Sequence, residues 1–287
     1  MKQFGFIGMG NMGYAILKGL LKTVAPDQLI FSARNKAHME QVAAETGVSY
    51  AADNVTCAKE SACLVLAVKP QQFDTVIGEI RSAVTEEQII IPSPRVSRLR
   101  IYRPLWKEMP HCPAMPNTPA LVGEGMTGVC YDQALFSEEE KQTIETLFTS
   151  FGRMTIVEEK LMDAVVCASG SSPAYVYMFI EALADSAVKY GIPRADAYKL
   201  VAQTVLGSAK MVLETGEHPG LLKDKVCSPG GTTIAGVAAL EEYGMRNAVI
   251  KQPMPATQNV RESSKGEIHH EHGRKTESEC WPAGEQG

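Results

Sequence analysis

Near the start of the chain, Gly8-Met9-Gly10-Asn11-Met12-Gly13 sets three glycines in the spacing G-x-G-x-x-G. Glycines so spaced can make a tight turn at Gly8, let backbone approach an anion at Gly10 and let a helix pack closely on a strand at Gly13. The free N–H groups and positive end of the following helix would then hold a pyrophosphate. A second stretch, Ser228-Pro229-Gly230-Gly231-Thr232-Thr233, puts two glycines and two hydroxyls inside an otherwise helical region. It reads as a helix start, with Ser or Thr as the cap and Pro and Gly in the turn. Backbone N–H groups around the glycines, with the Thr232 and Thr233 hydroxyls beside them, could seat a small carboxylate. Simple N-capping with no ligand fits the same spacing equally well.

Regular elements must place these residues. "QFGFIG" reads as a buried strand that enters the glycines, and "NMGYAILKGLLK" follows with apolar residues at helical spacing, which is the context that gives the glycine spacing its meaning. The alternation continues with strands at "QLIFSA", "VSYA", "ACLVLAVKP" and "QIII". Helices are expected at 36–46 and over "QQFDTVIGEIRSAV". Such alternation implies a parallel sheet with helices on both faces, so the fold class is an α/β Rossmann-type domain. An NAD site usually carries an acid about 20 residues past the glycines, for the ribose 2′-hydroxyl. Here the second strand ends in "FSARN", with Ser32 and Arg34 and no acid, which suits a 2′-phosphate. The expected cofactor is NADPH, with NADH as the alternative; a solvated loop arginine is the plainer reading of Arg34.

From Leu161 the alternation stops and an all-α region begins. "PAYVYMFIEALADSAVKY" has apolar residues at i, i+3 and i+4 between Pro173 and Gly191, and its first half is apolar on the other face as well. The few remaining helices can hardly cover such a helix, so a second subunit is expected over it, giving a homodimer or a higher oligomer built from dimers. Burial in a larger monomer core is the competing reading. A second helix, "RADAYKLVAQTVLGSAKMVLE", is expected to stop before Gly216, and "TIAGVAALEE" before Gly244. The division expected is 1–158 for the dinucleotide domain, 159–251 for the helical substrate and dimerisation domain, and 252–287 as a disordered tail.

Bulk properties exclude several classes. A net charge of −5 with no basic stripe argues against nucleic acid as a partner. No run of 18 apolar residues suggests a membrane span. The seven cysteines are scattered singly, which suits a reducing cytoplasm and gives no zinc or disulfide pattern. "HHEH" at 269–272 could bind a metal but reads better as part of a solvated tail, so no metal site is expected.

"AVKPQQF", "MPNTPALVGEGMT", "SGSSPAYVYMFIEALADSAVKYG" and "SPGGTTIAGVAALE" together resemble the pyrroline-5-carboxylate reductases, through residues 1–90 and 113–250. The resemblance implies hydride transfer from NAD(P)H to the C=N carbon of a cyclic imino acid, 1-pyrroline-5-carboxylate, giving proline. It also implies a Rossmann domain followed by an interlocking dimerisation domain. By resemblance, Gly8 to Met12 would cradle the pyrophosphate, and Ser32 and Arg34 the 2′-phosphate. Val68, Lys69 and Pro70, with Met115, Pro116 and Asn117, would line the nicotinamide pocket. The backbone around Ser228, Gly230, Gly231 and Thr232 would hold the substrate carboxylate, and Thr233, the candidate catalytic residue, would hydrogen-bond the ring nitrogen. A 3-hydroxyacid dehydrogenase is the rival enzyme; it needs a lysine early in the first interdomain helix, where this chain has none before Lys189.

Two stretches depart from that pattern. Residues 92–113, "PSPRVSRLRIYRPLWKEMPHCP", hold Pro92, Pro94, Pro104, Pro110 and Pro113 and no helical or strand period. Prolines at this density are expected to rule out most ladder hydrogen bonds and leave the middle of the sheet unfilled. Residues 252–287 are polar and of disordered composition. Both begin abruptly inside well-matched sequence, which suggests shifted reading frames and, as an alternative function, a non-catalytic NADP-binding homologue damaged at 92–113.

Overall fold

Apolar strands that alternate with amphipathic helices have one economical solution, a sheet covered on both faces, and the computed structural model, which describes residues 1–92 and 111–251, has that arrangement. The parallel sheet comprises β1 (Lys2–Ile7), β2 (Leu29–Ser32), β3 (Ser49–Tyr50), β4 (Ser61–Leu66) and β5 (Ile89–Ile91) in the order β3-β2-β1-β4-β5. Register pairs Phe6 with Phe31 on one side and with Val65 on the other. Side chains alternate across the sheet. Phe4, Phe6, Phe31 and Cys63 face one core, while Ile7, Ile30, Leu64 and Leu66 face another. Each such apolar side chain, fully buried, contributes about 1.5–3 kcal/mol.

Helix α1 (Asn11–Leu20) and α5 (Glu138–Thr149) cover the first face with Leu17, Leu20 and Phe148. Helices α3 (Asn54–Lys59) and α4 (Phe73–Ile80) cover the second with Cys57, Phe73 and Ile77. Helix α2 occupies Lys36–Thr46, as its spacing predicts, with Asn35 accepting from the His38 N–H as its cap and Gly47 ending it at φ +72°. A second sheet, in the order β6-β7-β8, comprises β6 (Ala114–Met115), β7 (Gly125–Val129) and β8 (Gly152–Ile156).

At its two ends, Pro92 and residues 111–113, the proline-rich stretch is bonded to its neighbours in the sheets. The Cys112 N–H donates to the Ile90 carbonyl at 2.9 Å, the Ala114 N–H to the Pro92 carbonyl at 3.1 Å, and the Cys130 N–H to the Pro113 carbonyl at 2.9 Å. A parallel bridge joins Ile90 to His111. Backbone bonds therefore run from β5 through 111–114 into β7. Proline lacks a donor but keeps its carbonyl, and at these ends Pro92 and Pro113 serve as acceptors; the expectation for Pro94, Pro104 and Pro110 falls outside the described residues. The connecting residues 93–110 lie outside the described residues, as does the tail at 252–287.

The chain divides into two compact units between Pro219 and Gly220. Within the first, a short helix (Met162–Val165) runs into a π-helical turn (Val166–Gly170), followed by α6 (Ser172–Lys189) and α7 (Arg194–Thr215). These two helices pack through Ala184, Ala197 and Val201, and Arg194 pairs with Asp185. The other faces of α6 are exposed among the described residues: Tyr177 is 59% and Met178 67% exposed, with Val176, Phe179 and Leu183 also exposed. This exposure goes against the competing reading, burial in a monomer core, and among the described residues the apolar surface stays uncovered. The second unit begins within α8 (Pro219–Val226) and holds α9 (Thr232–Glu242) and α10 (Met245–Lys251), the last two joined by an Arg246–Glu241 ion pair. Among the described residues no helix is long and apolar enough to cross a membrane.

Candidate functional site

In an open parallel sheet, ligands bind beyond the carboxyl ends of the strands where the order reverses, here between β1 and β4. The glycine turn stands at that point. Gly8 has φ +98°, and a Cβ there would lie 2.8 Å from the Ala67 carbonyl oxygen and 2.8 Å from Val68 Cγ1. A Cβ at Gly13 would collide with the Gly8 carbonyl oxygen. Gly10 differs from both: a Cβ there would meet nothing within 4 Å. It is the N-cap of α1, with φ −81° and ψ −170°, and no side chain caps the helix. The first N–H groups of α1 therefore have neither an intrahelical acceptor nor a side-chain one, and open space lies before them. Backbone donors facing free volume fit the pyrophosphate of a dinucleotide. Met9 is 3% exposed, with its side chain in the core, so it offers only backbone. Asn11 is exposed and Met12 half-buried.

At the end of β2 the two candidates for the 2′-phosphate part company. Arg34 is exposed. Ser32 is 2% exposed, and its hydroxyl donates to Asn54 Oδ1 at 2.7 Å, while Asn54 Nδ2 donates to Glu79 Oε2 at 2.6 Å. The Ser32 hydroxyl is spent inward, beside the Cys57 thiol, which burial pushes up to about 11. His38, on the first turn of α2, places Nε2 2.8 Å from the Met9 carbonyl oxygen.

Beyond β4 lies a cleft of about 210 Å³ lined by apolar residues. Met12, Val68, Met115 and Pro116 are brought together on its walls, with Ala67 and Phe148. Lys69 and Asn117 are not among its lining residues; Lys69 is exposed, and Pro70 opens a 3-10 turn. Asn117 is 8% exposed and bonded at both amide atoms: Nδ2 donates to the Ser169 carbonyl at 3.1 Å, and Oδ1 accepts the Met126 N–H at 2.9 Å. Those bonds tie the loop after β6 to the π-helical turn, which closes with the Ser171 N–H on the Val166 carbonyl at 2.8 Å. Gly170 of that turn leaves room for Met115, whose Cε would stand 2.6 Å from a Cβ there. Asn117 thus holds the wall in place from behind.

In the second unit the hydroxyl-rich turn takes a different form from the one expected. The Gly231 N–H donates to the Ser228 carbonyl at 3.0 Å, Gly230 turns the chain at φ +70°, and Gly231 is the N-cap of α9 with no side-chain bond. Neither a serine nor a threonine hydroxyl caps the helix, because the chain reaches it through glycine. Ser228, Gly230, Thr232 and Thr233 are all exposed, so the first N–H groups of α9 and two hydroxyls remain available to a ligand.

His38, Asn54 and Glu79 were not anticipated. Asn54 stands at the start of a six-residue helix too short to show a period, and their side-chain contacts are distant in sequence, 29 residues for His38 with Met9, 25 for Asn54 with Glu79 and 22 for Asn54 with Ser32. Among the described residues no group of three or more His, Cys, Asp or Glu could hold a metal ion; "HHEH" lies outside them.

Known proteins share this layout. A family model described as "NADP oxidoreductase coenzyme F420-dependent" matches residues 3–93, and one described as "Pyrroline-5-carboxylate reductase dimerisation" matches 159–263. The pyrroline-5-carboxylate reductase of Escherichia coli (strain K12) is 46% identical over 253 residues, covering 87% of this chain and 94% of that one. That of Arabidopsis thaliana is 36% identical, covering 91% and 95%. The structure of a pyrroline-5-carboxylate reductase from Coxiella burnetii matches with a TM-score of 0.82 at 31% identity, covering 91% of this chain and 98% of that one. Plasmodium falciparum pyrroline carboxylate reductase with NADP bound matches with a TM-score of 0.75 at 30% identity, covering 90% and 97%.

Proposed function

The chain belongs to the pyrroline-5-carboxylate reductase family, and from that premise we propose how its residues divide the work of reducing 1-pyrroline-5-carboxylate to proline. The enzyme is an NAD(P)H-dependent oxidoreductase of proline biosynthesis that oligomerises. The bound dinucleotide supplies the hydride. An iminium is already electrophilic, so the protein's task is to orient and to exclude water, and orientation alone can supply about 7–11 kcal/mol of rate enhancement at best.

In this proposal Gly8 to Gly13 hold the pyrophosphate, through the backbone of Gly10 and the first N–H groups of α1. Arg34 pairs with the 2′-phosphate. Ser32 acts from behind, fixing the end of β2 through Asn54. Met12, Val68, Met115 and Pro116 enclose the nicotinamide in apolar surface, with Lys69 and Pro70 contributing backbone and Asn117 bracing Met115. Ser228, Gly230, Gly231 and Thr232 bind the substrate carboxylate through backbone N–H groups, and the Thr233 hydroxyl hydrogen-bonds the ring nitrogen. Residues 1–158 form the dinucleotide domain and 159–251 the substrate domain, and the exposed apolar face of α6 supports a homodimer as the basic assembly. A cytoplasmic location accords with six free cysteines among the described residues.

One observation carries the cofactor half of this reading: the uncapped N-terminus of α1 opens on free space at Gly10, at the switch point of the sheet. The test is NADPH absorbance with purified protein and 1-pyrroline-5-carboxylate, with NADH in parallel. Substrate-dependent oxidation, lost in Thr233→Ala with NADPH binding retained, is the expected result. Oxidation unaffected in Thr233→Ala would remove that residue from the site. NADPH binding without oxidation would favour the non-catalytic homologue.

A further inference from the structure

We infer that His38 is a positioning residue for the cofactor loop, a role that rests on the reading of Gly8 to Gly13 as the pyrophosphate seat. Its ring nitrogen Nε2 lies 2.8 Å from the Met9 carbonyl oxygen, across 29 residues of sequence. A carbonyl only accepts, so Nε2 carries the hydrogen and donates it. Met9 sits between the two glycines of the turn, where the chain has the least intrinsic stiffness, since Gly8 and Gly10 both lack a side chain to restrict them. The Met9 side chain is anchored in the core below. His38 fixes the remaining freedom of that peptide, holding its carbonyl toward α2. The oxygen is thereby kept out of a site that must present donors to an anion.

His38 is itself well held. Its backbone N–H donates to the Asn35 side chain at 3.1 Å in the cap of α2, and the next residue, Met39, is 7% exposed and accepts the Ala33 N–H on sulfur at 3.1 Å. One short segment, 33–39, therefore presents Arg34 at the end of β2 and steadies the glycine turn through His38. The imidazole acts through the backbone of Met9, at the part of the dinucleotide common to NADPH and NADH, so its contribution falls on both cofactors alike.

The experiment titrates both cofactors, by fluorescence, into the intact wild-type protein and into His38→Phe, His38→Gln and Arg34→Ala, well below the melting temperature of each. Loss of one neutral hydrogen bond predicts a rise in Kd of about three- to tenfold in His38→Phe for NADPH and NADH equally, with kcat at saturating cofactor unchanged. His38→Gln, which keeps an N–H donor, restores most of the affinity, while Arg34→Ala weakens NADPH alone. The inference is overturned if His38→Phe binds both cofactors within twofold of wild type, if only NADPH weakens, or if glutamine fails to rescue. Wild type that binds neither cofactor would instead sink the pyrophosphate seat, and the inference with it.

Discussion

Replacing Gly10 by alanine should separate cofactor binding from folding, and Gly13→Ala supplies the opposite control. At Gly10 the backbone, φ −81° and ψ −170°, is open to any residue, and a Cβ meets no atom within 4 Å. The cost to the fold is that of alanine at an N-cap, about 1 kcal/mol, and a change of that size lowers Tm by about 2–4 °C in a protein of this size class. The methyl group projects into the space where a pyrophosphate must approach backbone. Displacing the anion weakens hydrogen bonds to a charged group, each worth about 1.5–3 kcal/mol. Losing one of them raises the NADPH Kd by about ten- to a hundredfold, at tenfold for each 1.4 kcal/mol.

Gly13 reverses the pattern. A Cβ there collides with the Gly8 carbonyl oxygen, which cannot retreat because the Gly8 N–H is bonded to the Ser32 carbonyl at 2.9 Å and the turn abuts Ala67. Overpacking of this kind costs about 1–3 kcal/mol, so Gly13→Ala should melt several degrees lower. Paired thermal melts and NADPH fluorescence titrations read both effects. Gly10→Ala with wild-type affinity for NADPH would refute the pyrophosphate seat, whatever its melting temperature. Gly13→Ala as stable as the parent would refute the packing role.

Four further outcomes are expected. Arg34→Ala should raise the KM for NADPH about tenfold, as for one lost charge-assisted contact at an exposed site, and leave that for NADH unchanged; equal changes would refute the 2′-phosphate assignment. Met178→Glu places a charge on the bare face of α6, and light scattering should report the mass of one subunit where the parent gives a multiple of it. Ser137→Ala removes the capping box of α5, in which the Ser137 N–H donates to Glu140 Oε2 at 2.7 Å and the Glu140 N–H to Ser137 Oγ at 3.3 Å; calorimetry should show a loss of about 1 kcal/mol. Burial raises the Cys57 thiol from 9.0 to about 11 and raises Cys63 and Cys112 as well. The folded state therefore holds these protons more tightly than the unfolded state, so their stabilising effect is complete below pH 9 and declines as pH rises from there toward about 11. A thermal melt against pH should fall over that interval, and less steeply in Cys57→Ala; identical slopes would refute the Cys57 part.

The sequence made the backbone devices legible because they are local. Gly8, Gly10 and Gly13 carry their meaning in their spacing, and the bounds of α2 are written in Asn35 and Gly47, each acting within its own turn. Side-chain roles were harder to read where a partner decides them. Ser32 has the hydroxyl a 2′-phosphate could use, yet Asn54 claims it from 22 residues away. Asn117 sits in a motif that resembles a cofactor wall, but its amide is consumed by Ser169 and Met126. His38 carried no signal, because nothing near it in sequence points to Met9. The cap of α9 differs from the expected one for a related reason: Ser and Thr are the usual caps, and only the tertiary path of the chain gives the position to Gly231, leaving Thr232 and Thr233 out of the cap.

The proline-rich stretch shows the same principle from the side of the fold. Counting prolines treats each as a break in a ladder, which holds only where the strand needs an N–H at that residue. The residues that donate around β5 and β6 are Cys112 and Ala114, and Pro92 and Pro113 are asked only for carbonyls. Parity along the strand therefore decides whether a proline is tolerated. An odd shift of this segment would ask Pro113 for a donor that it lacks, so Pro113 also disfavours that wrong register beside the apolar cleft.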